Sequence, residues 1–97
     1  MQVEWDRGKD RANRVKHGLG FDEVRALFEC DTDYLVIFDA EHSTVEDRFL
    51  AIGPVAKGVV VITFSEPRDD VVRIISARRA TRAEQEAFYR RAGGSKR

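Results

Sequence analysis

Cysteine, proline and net charge are all scarce in this 97-residue chain. The single cysteine, Cys30, cannot close an internal disulfide, so a reducing, cytoplasmic home is expected. With two prolines and no Pro- or Ser-rich stretch, the sequence shows no linker, repeat or low-complexity block. The longest apolar stretch, Val59 to Phe64, falls far short of the roughly 20 residues that span a bilayer, and no membrane partner is expected. Met1-Gln2-Val3-Glu4-Trp5-Asp6 has no basic start followed by an apolar run, so no secretory signal is expected either. His17, His42 and Cys30 form no close ligand pair, and neither a metal nor a cofactor is expected. Ser43, Ser65 and Ser76 lie in no Gly-x-Ser-x-Gly turn. Gly18-Leu19-Gly20 lacks the surroundings of a phosphate loop.

What is present is an ordinary globular composition, 42% hydrophobic, with 17 basic and 17 acidic side chains that cancel. The cancellation hides a segregated pattern. Residues 21–50 carry nine acids against Arg25 and Arg48, whereas residues 73–97 carry eight basic side chains against Glu84 and Glu86. Such asymmetry suits a polyanion or an oppositely charged protein, or else the two halves neutralise each other in the fold.

Val3-Glu4-Trp5 reads as a short opening strand. Asp6 is placed to cap a helix from Arg7 to about His17, which Gly18 would end. Phe21, Val24, Leu27 and Phe28 form one apolar stripe of a second helix. Tyr34 to Phe38 is a strand by composition, followed by a strand over Glu46 to Ile52 that Gly53-Pro54 closes. Val59–Phe64 and Val71–Ala77 are two more strands, joined antiparallel by a turn over Glu66-Pro67-Arg68-Asp69-Asp70. Thr81-Arg82-Ala83-Glu84 is a capping box opening a helix that should stop at Gly93-Gly94. The reading is one α+β domain over residues 1–92 with a flexible C-terminal tail at 93–97. It has two N-terminal helices, a mainly antiparallel sheet of four to five strands and one C-terminal helix.

A polar set falls among the strands. Arg48 shares parity with Leu50 and Ile52, Arg73 sits inside the last strand, and Arg78 marks its end. Charges among core-facing positions need partners. Either Arg48 and Arg73 pair with Glu46, Asp47 or an acid of the second helix, or the arginines line a face that grips phosphate with bidentate donors. His17, at a helix C-terminus, is either a dipole contact or a proton donor. Tyr89 either packs with Phe88 or stacks on a base.

Three ordered motifs carry a resemblance. Glu4-Trp5-Asp6, Lys9, Asn13, Lys16-His17-Gly18 and Phe21 resemble the opening of BrnT-type toxins. Glu46-Asp47-Arg48 followed by Ile52-Gly53 is similar to that family's middle segment. Arg73-Ile74-Ile75-Ser76-Ala77-Arg78, with Ala80, Glu84 and Tyr89, resembles its closing signature. Together they span about residues 3–89.

The resemblance implies a RelE-like α+β fold and a metal-independent endoribonuclease toxin of a bacterial type II toxin–antitoxin pair. It implies RNA as substrate and a BrnA-like ribbon-helix-helix antitoxin as partner, with operator DNA reached through that antitoxin. In such chemistry the ribose 2′-OH attacks the adjacent phosphate and leaves a 2′,3′-cyclic phosphate, which needs a base, an acid and cations for the developing charge. Arg48, Arg73 and Arg78 would then stabilise charge, and Glu46 or His17 would handle protons. Lys16, Thr63, Ser76 and Tyr89 would bind substrate. One departure stands out: the family commonly shows Thr-x-Arg where this chain reads Thr63-Phe64-Ser65, which leaves Arg68 to fill the gap in space or leaves activity weakened. The alternative is a non-catalytic protein of the same fold that binds its antitoxin as a co-repressor.

Overall fold

Strand β1 (Gln2–Trp5) leads into helix α1 (Arg7–His17), and both helix ends form as their residue types demand. The Asp6 carboxylate accepts from Lys9 N–H at 2.9 Å, and Gly18, at φ 69°, donates its N–H to Arg14 C=O. The computed structural model describes residues 1–30 and 32–92; the tail expected at 93–97 lies outside the described residues.

The second helix is not continuous. Phe21–Val24 (α2) and Ala26–Glu29 (α3) are single turns that break at Arg25, whose carbonyl accepts from both Phe28 N–H and Glu29 N–H. This tightening to an i→i+3 bond interrupts the α-helical ladder while keeping Phe21, Val24, Leu27 and Phe28 buried. The apolar stripe is therefore used as the spacing predicts, by two turns instead of one helix.

The chain then builds β2 (Leu35–Phe38), a 3-10 turn (Ala40–His42), β3 (Phe49–Val55), β4 (Gly58–Arg68), β5 (Val71–Arg79) and helix α4 (Arg82–Ala92). The five strands lie in the order β1-β5-β4-β3-β2. β1 runs parallel to β5 and the other three pairs are antiparallel, so the sheet is mixed and mainly antiparallel, as the sequence predicts.

Three strand boundaries also differ from expectation. β3 starts at Phe49, which leaves Glu46, Asp47 and Arg48 just outside it, although Arg48 C=O still accepts from Asp39 N–H at 2.8 Å. Gly53-Pro54 does not close β3: Pro54 sits opposite Val59, near the hairpin end. Gly53 is needed for close approach, because a Cβ there would lie 2.7 Å from Leu27 Cδ1 and 2.9 Å from Tyr34 Cβ. β4 continues through Glu66-Pro67 to Arg68, with a register irregularity between Ser65 and Arg68 that accommodates the proline.

Both sheet faces are apolar, but they are covered unequally. One face presents Ala51, Val60, Ile62, Phe64, Val72, Ile74 and Ala77 to Leu19 and the residues of α2 and α3. Fully burying a side chain such as Ile62 or Ile74 contributes about 1.5–3 kcal/mol, so this face carries most of the packing energy. On the other face Phe88 of α4 and Ala80 pack on Ile52 and Val61, with Leu35, Leu50 and Val59 at the margin. No helix among the described residues is long and apolar enough to cross a membrane.

Candidate active site

Arg73 and Arg78 are five apart, and a regular strand would put them on opposite faces of the sheet. The structure does otherwise. Thr63 pairs with Ser76 but the next residue, Phe64, pairs with Ile74, so Ile75 is left without a partner. This bulge slips the alternation by one residue. Ile74 and Ala77 both turn to the α2–α3 face, and Arg73, Ser76 and Arg78 share the α4 face.

That face is built in three cross-strand rows. Arg78, Val61, Ile52 and Leu35 form the row at the α4 end. Ser76, Thr63, Leu50 and Ile37 form the next. The last joins Glu4, Arg73 and Ser65, and continuing the β3–β4 register past Phe49–Phe64 sets Arg48 opposite Ser65. Among the described residues, the α4 cluster covers the first row and Leu50 of the second, and Arg73 at the far end is partly exposed.

Two of the three arginines already hold an acid. Arg78 grips Glu84 of α4 with both terminal nitrogens, at 2.8 and 2.9 Å. That guanidinium, helped by Thr81 N–H, brings the Glu84 carboxyl down to about 2, and Glu84 in turn pushes the Arg78 guanidinium up. The capping box is realised at the same residue: Thr81 N–H donates to Glu84 Oε1 at 2.8 Å, and Glu84 N–H donates to Thr81 Oγ1 at 3.2 Å. Arg73 donates from Nε and a terminal nitrogen to Glu4 Oε2, at 2.8 and 2.7 Å. Arg68 takes the other oxygen, Oε1, at 2.9 Å. Between them, Arg73 foremost, the two guanidinium groups hold the Glu4 carboxyl below its ordinary value.

Arg48 and Ser65 differ from these. Arg48 Nε and Ser65 Oγ are buried without a hydrogen-bond partner among the described residues, and Ser65 is only 1% exposed. Glu46 lies in the loop before β3 and shares a shallow depression with Ser65, Phe49, Asp47, Glu66 and Pro67. Arg48 is anchored there through its backbone, whose N–H donates to Ser43 Oγ at 2.9 Å.

Helix α1 borders the opposite side of the face. Lys9 and Ala12 line a depression with Glu4, Trp5 and Arg73. Lys16, seven residues beyond Lys9, lies two turns along the same stripe. Asn13 reaches the Ala77 backbone, so at about 1.5 Å per helical residue Lys16 comes level with the Arg78 end of β5. His17 follows Asn13 by one turn, on the stripe that faces the β5 edge, and is half-buried. It therefore sits across the sheet from Glu46, and the two proton-handling candidates do not meet. Tyr89 is exposed and packs edge-on against Phe88, at 5.2 Å between ring centres. Five residues beyond Glu84, it points about 140° around α4 from the Arg78 contact.

The structure thus gathers Arg48, Thr63, Ser76, Arg73 and Arg78 on one face, with Glu46 at one margin and Lys16 at the other, and leaves His17 and Tyr89 apart. Glu4 and Arg68 are the residues that sequence reasoning left without a partner: their meeting depends on the parallel β1–β5 pairing, for which no local spacing gives a signal. Among the described residues no group of three His, Cys, Asp or Glu side chains could hold a metal ion.

No curated protein matches the chain. In the 1.1 Å crystal structure of the Brucella abortus ribonuclease toxin, BrnT, a chain with 25% sequence identity superimposes with a TM-score of 0.63, over 84% of this chain and 99% of that one. The family model for the ribonuclease toxin BrnT of type II toxin–antitoxin systems matches residues 5–84. This chain accordingly belongs to the BrnT family of ribonuclease toxins of type II toxin–antitoxin systems.

Proposed function

We propose that residues 1–92 act as one toxin unit of RelE-like type that cuts RNA without a metal, by 2′-OH attack on the adjacent phosphate, on the α4 face of the sheet. Cytoplasmic translation is then its target. The observation that carries this reading is the Ile75 bulge, which turns Arg73 and Arg78 to one face on either side of the Thr63 and Ser76 hydroxyls. Arg48, Arg73 and Arg78 stabilise the charge that develops on the phosphorane. Thr63 and Ser76 donate hydrogen bonds to the sugar–phosphate backbone, and Lys16 holds a neighbouring phosphate. Glu46, at the margin beside Ser65, is favoured over His17 as the proton-handling group. Tyr89 stacks on a base only if RNA extends over α4. Arg68, brought beside Arg73 by the shared Glu4, takes the place of the arginine that Ser65 lacks.

The antitoxin is a BrnA-like ribbon-helix-helix protein that neutralises the toxin and carries the complex to operator DNA. One observation favours the second reading, a non-catalytic co-repressor: Arg73 and Arg78 are each held by an internal acid. RNA incubated with the purified chain in EDTA separates the two. Products ending in 2′,3′-cyclic phosphate, lost about 10²–10³-fold in Arg73→Ala, support cleavage. Intact RNA together with antitoxin binding supports the co-repressor.

A further inference from the structure

β2 is a four-residue edge strand, and among the described residues no strand pairs with its outer side. Strand edges are usually blunted by a lysine, a proline, a bulge or a covering element. Leu35-Val36-Ile37-Phe38 has none of these side chains, and Val36, Ile37 and Phe38 are 49%, 42% and 51% exposed.

The ladder shows which backbone groups are free. Asp39 N–H donates to Arg48 C=O, so by antiparallel alternation Ile37 and Leu35 also turn their N–H and C=O toward β3. Val36 and Phe38 then turn theirs outward. Their side chains lie on the α2–α3 face, in line with Ala51 and Phe49. Phe38 ends an aromatic row: Phe28, Phe64, Phe49 and Phe38 follow one another at centroid spacings of 5.0, 5.5 and 5.7 Å. The row runs from the buried core to solvent and stops half covered.

The rim of this edge is acidic. Asp33 and Asp39 flank β2 in sequence, Glu41 follows in the 3-10 turn, and residues 32–47 hold no Lys or Arg. Among the described residues none of these meets a Lys or Arg, and only Asp39 meets an imidazole, its Oδ2 2.9 Å from His42 Nδ1. Among the described residues Arg91 of α4 is the one basic side chain lining the depression beside Asp33 and Val36. Pairing two copies through β2 would bring these acids against each other, which disfavours a homodimer here.

We infer that the outer edge of β2 is the docking site for an extended segment of the partner protein, which adds as a sixth strand with apolar residues over Val36 and Phe38 and Lys or Arg at its ends. Backbone pairing would supply affinity, and the apolar and charged side chains would supply specificity. The inference rests on membership of a two-protein toxin–antitoxin family for the existence of a partner, and not on the cleavage mechanism.

The test uses the full chain and a synthetic capped peptide, Lys-Arg-Val-Thr-Phe-Thr-Val-Arg-Lys, with binding followed by calorimetry. Val36→Pro removes an outward N–H and spares the bonds to β3, as edge strands tolerate. It should weaken binding at least about tenfold, the scale of a lost hydrogen bond, with RNA cleavage unchanged. Phe38→Thr, which keeps the backbone intact, should weaken it similarly. N-methylating alternate peptide amides should abolish binding when the methyls face β2 and spare it when they face away. A peptide with Glu at its ends should bind more weakly at low salt, and the difference should shrink as salt rises. No binding, equal binding by Val36→Pro, equal binding of the two peptides, or a dimer of this chain that Phe38→Thr dissolves would each overturn the inference. Loss of RNA cleavage in Arg73→Ala with peptide binding intact would leave it standing, so its failure and that of the cleavage reading are distinguishable.

Discussion

The Asn13 side chain binds both backbone groups of Ala77, 64 residues away: Oδ1 accepts from the Ala77 N–H at 3.0 Å and Nδ2 donates to its C=O at 2.9 Å. Nδ2 also donates to Leu19 C=O at 2.9 Å. β1 pairs with β5 only as far as Trp5–Ile74, so Asn13 takes the place of a strand residue along the edge that β1 leaves bare. One amide thereby fixes α1, the Leu19 loop and the strand that carries Arg73 and Arg78.

Asn13→Ala leaves these backbone groups without their partner in a site where Asn13 is 6% exposed. A loss of about 2–4 kcal/mol is expected, read from urea unfolding midpoints. Asn13→Asp should be no better, because a carboxylate cannot donate to the Ala77 and Leu19 carbonyls and would repel them. A near-neutral Asn13→Ala would show that the edge is closed by something else.

Ser65→Ala removes a buried hydroxyl that has no hydrogen-bond partner among the described residues. Stability should stay level or rise by up to about 1 kcal/mol, the reverse of the usual result for a buried serine. RNA affinity measured on the same variant reports whether that hydroxyl serves substrate instead: a drop would assign it a binding role.

Gly53→Ala places a methyl 2.7 Å from Leu27 Cδ1 and 2.9 Å from Tyr34 Cβ. Displacing α3 from the sheet should cost about 1–3 kcal/mol in thermal or urea unfolding. An unchanged midpoint would mean that Leu27 moves aside freely.

Acid should act through Glu84. Its carboxyl stands at about 2 in the folded protein against an ordinary 4.5, so the stability it contributes is present above about 4.5 and is lost as pH falls toward 2. A quarter of the side chain is exposed, and solvent screening limits the effect to about 1 kcal/mol or less. Glu84→Gln should lower stability at neutral pH and flatten the slope between pH 4.5 and 2; Glu4, lowered as well, titrates in both proteins and cancels in the comparison. Parallel acid limbs for the two proteins would count against the Arg78–Glu84 pair.

Much of the local structure was legible. Asp6 and Gly18 bound α1 because capping depends on residue type and three or four neighbours, and Thr81 with Glu84 opens α4 for the same reason. The apolar runs became β2, β4 and β5. Boundaries failed where contacts across the chain outweigh local preference. Gly53-Pro54 reads as a stop, yet β3 passes through because Leu27 needs the space that a side chain at Gly53 would fill. Of the candidate site, the residue types were readable but their assembly was not. His17 and Glu46 each suit proton transfer, and only the fold shows that they stand across the sheet from each other.

The sequence by itself determined the helix caps, the strands, the acidic middle and basic end, and the ordered motifs shared with BrnT toxins, because each depends on residue chemistry over a short span. Only the tertiary structure decided that Arg73 and Arg78 share a face, that Arg68 meets Arg73 on Glu4, and that β2 is left at an edge. Those outcomes turn on register, and register follows from how whole strands fit against one another and against the helices: one unpaired residue, Ile75, redirects the side chains on either side of it.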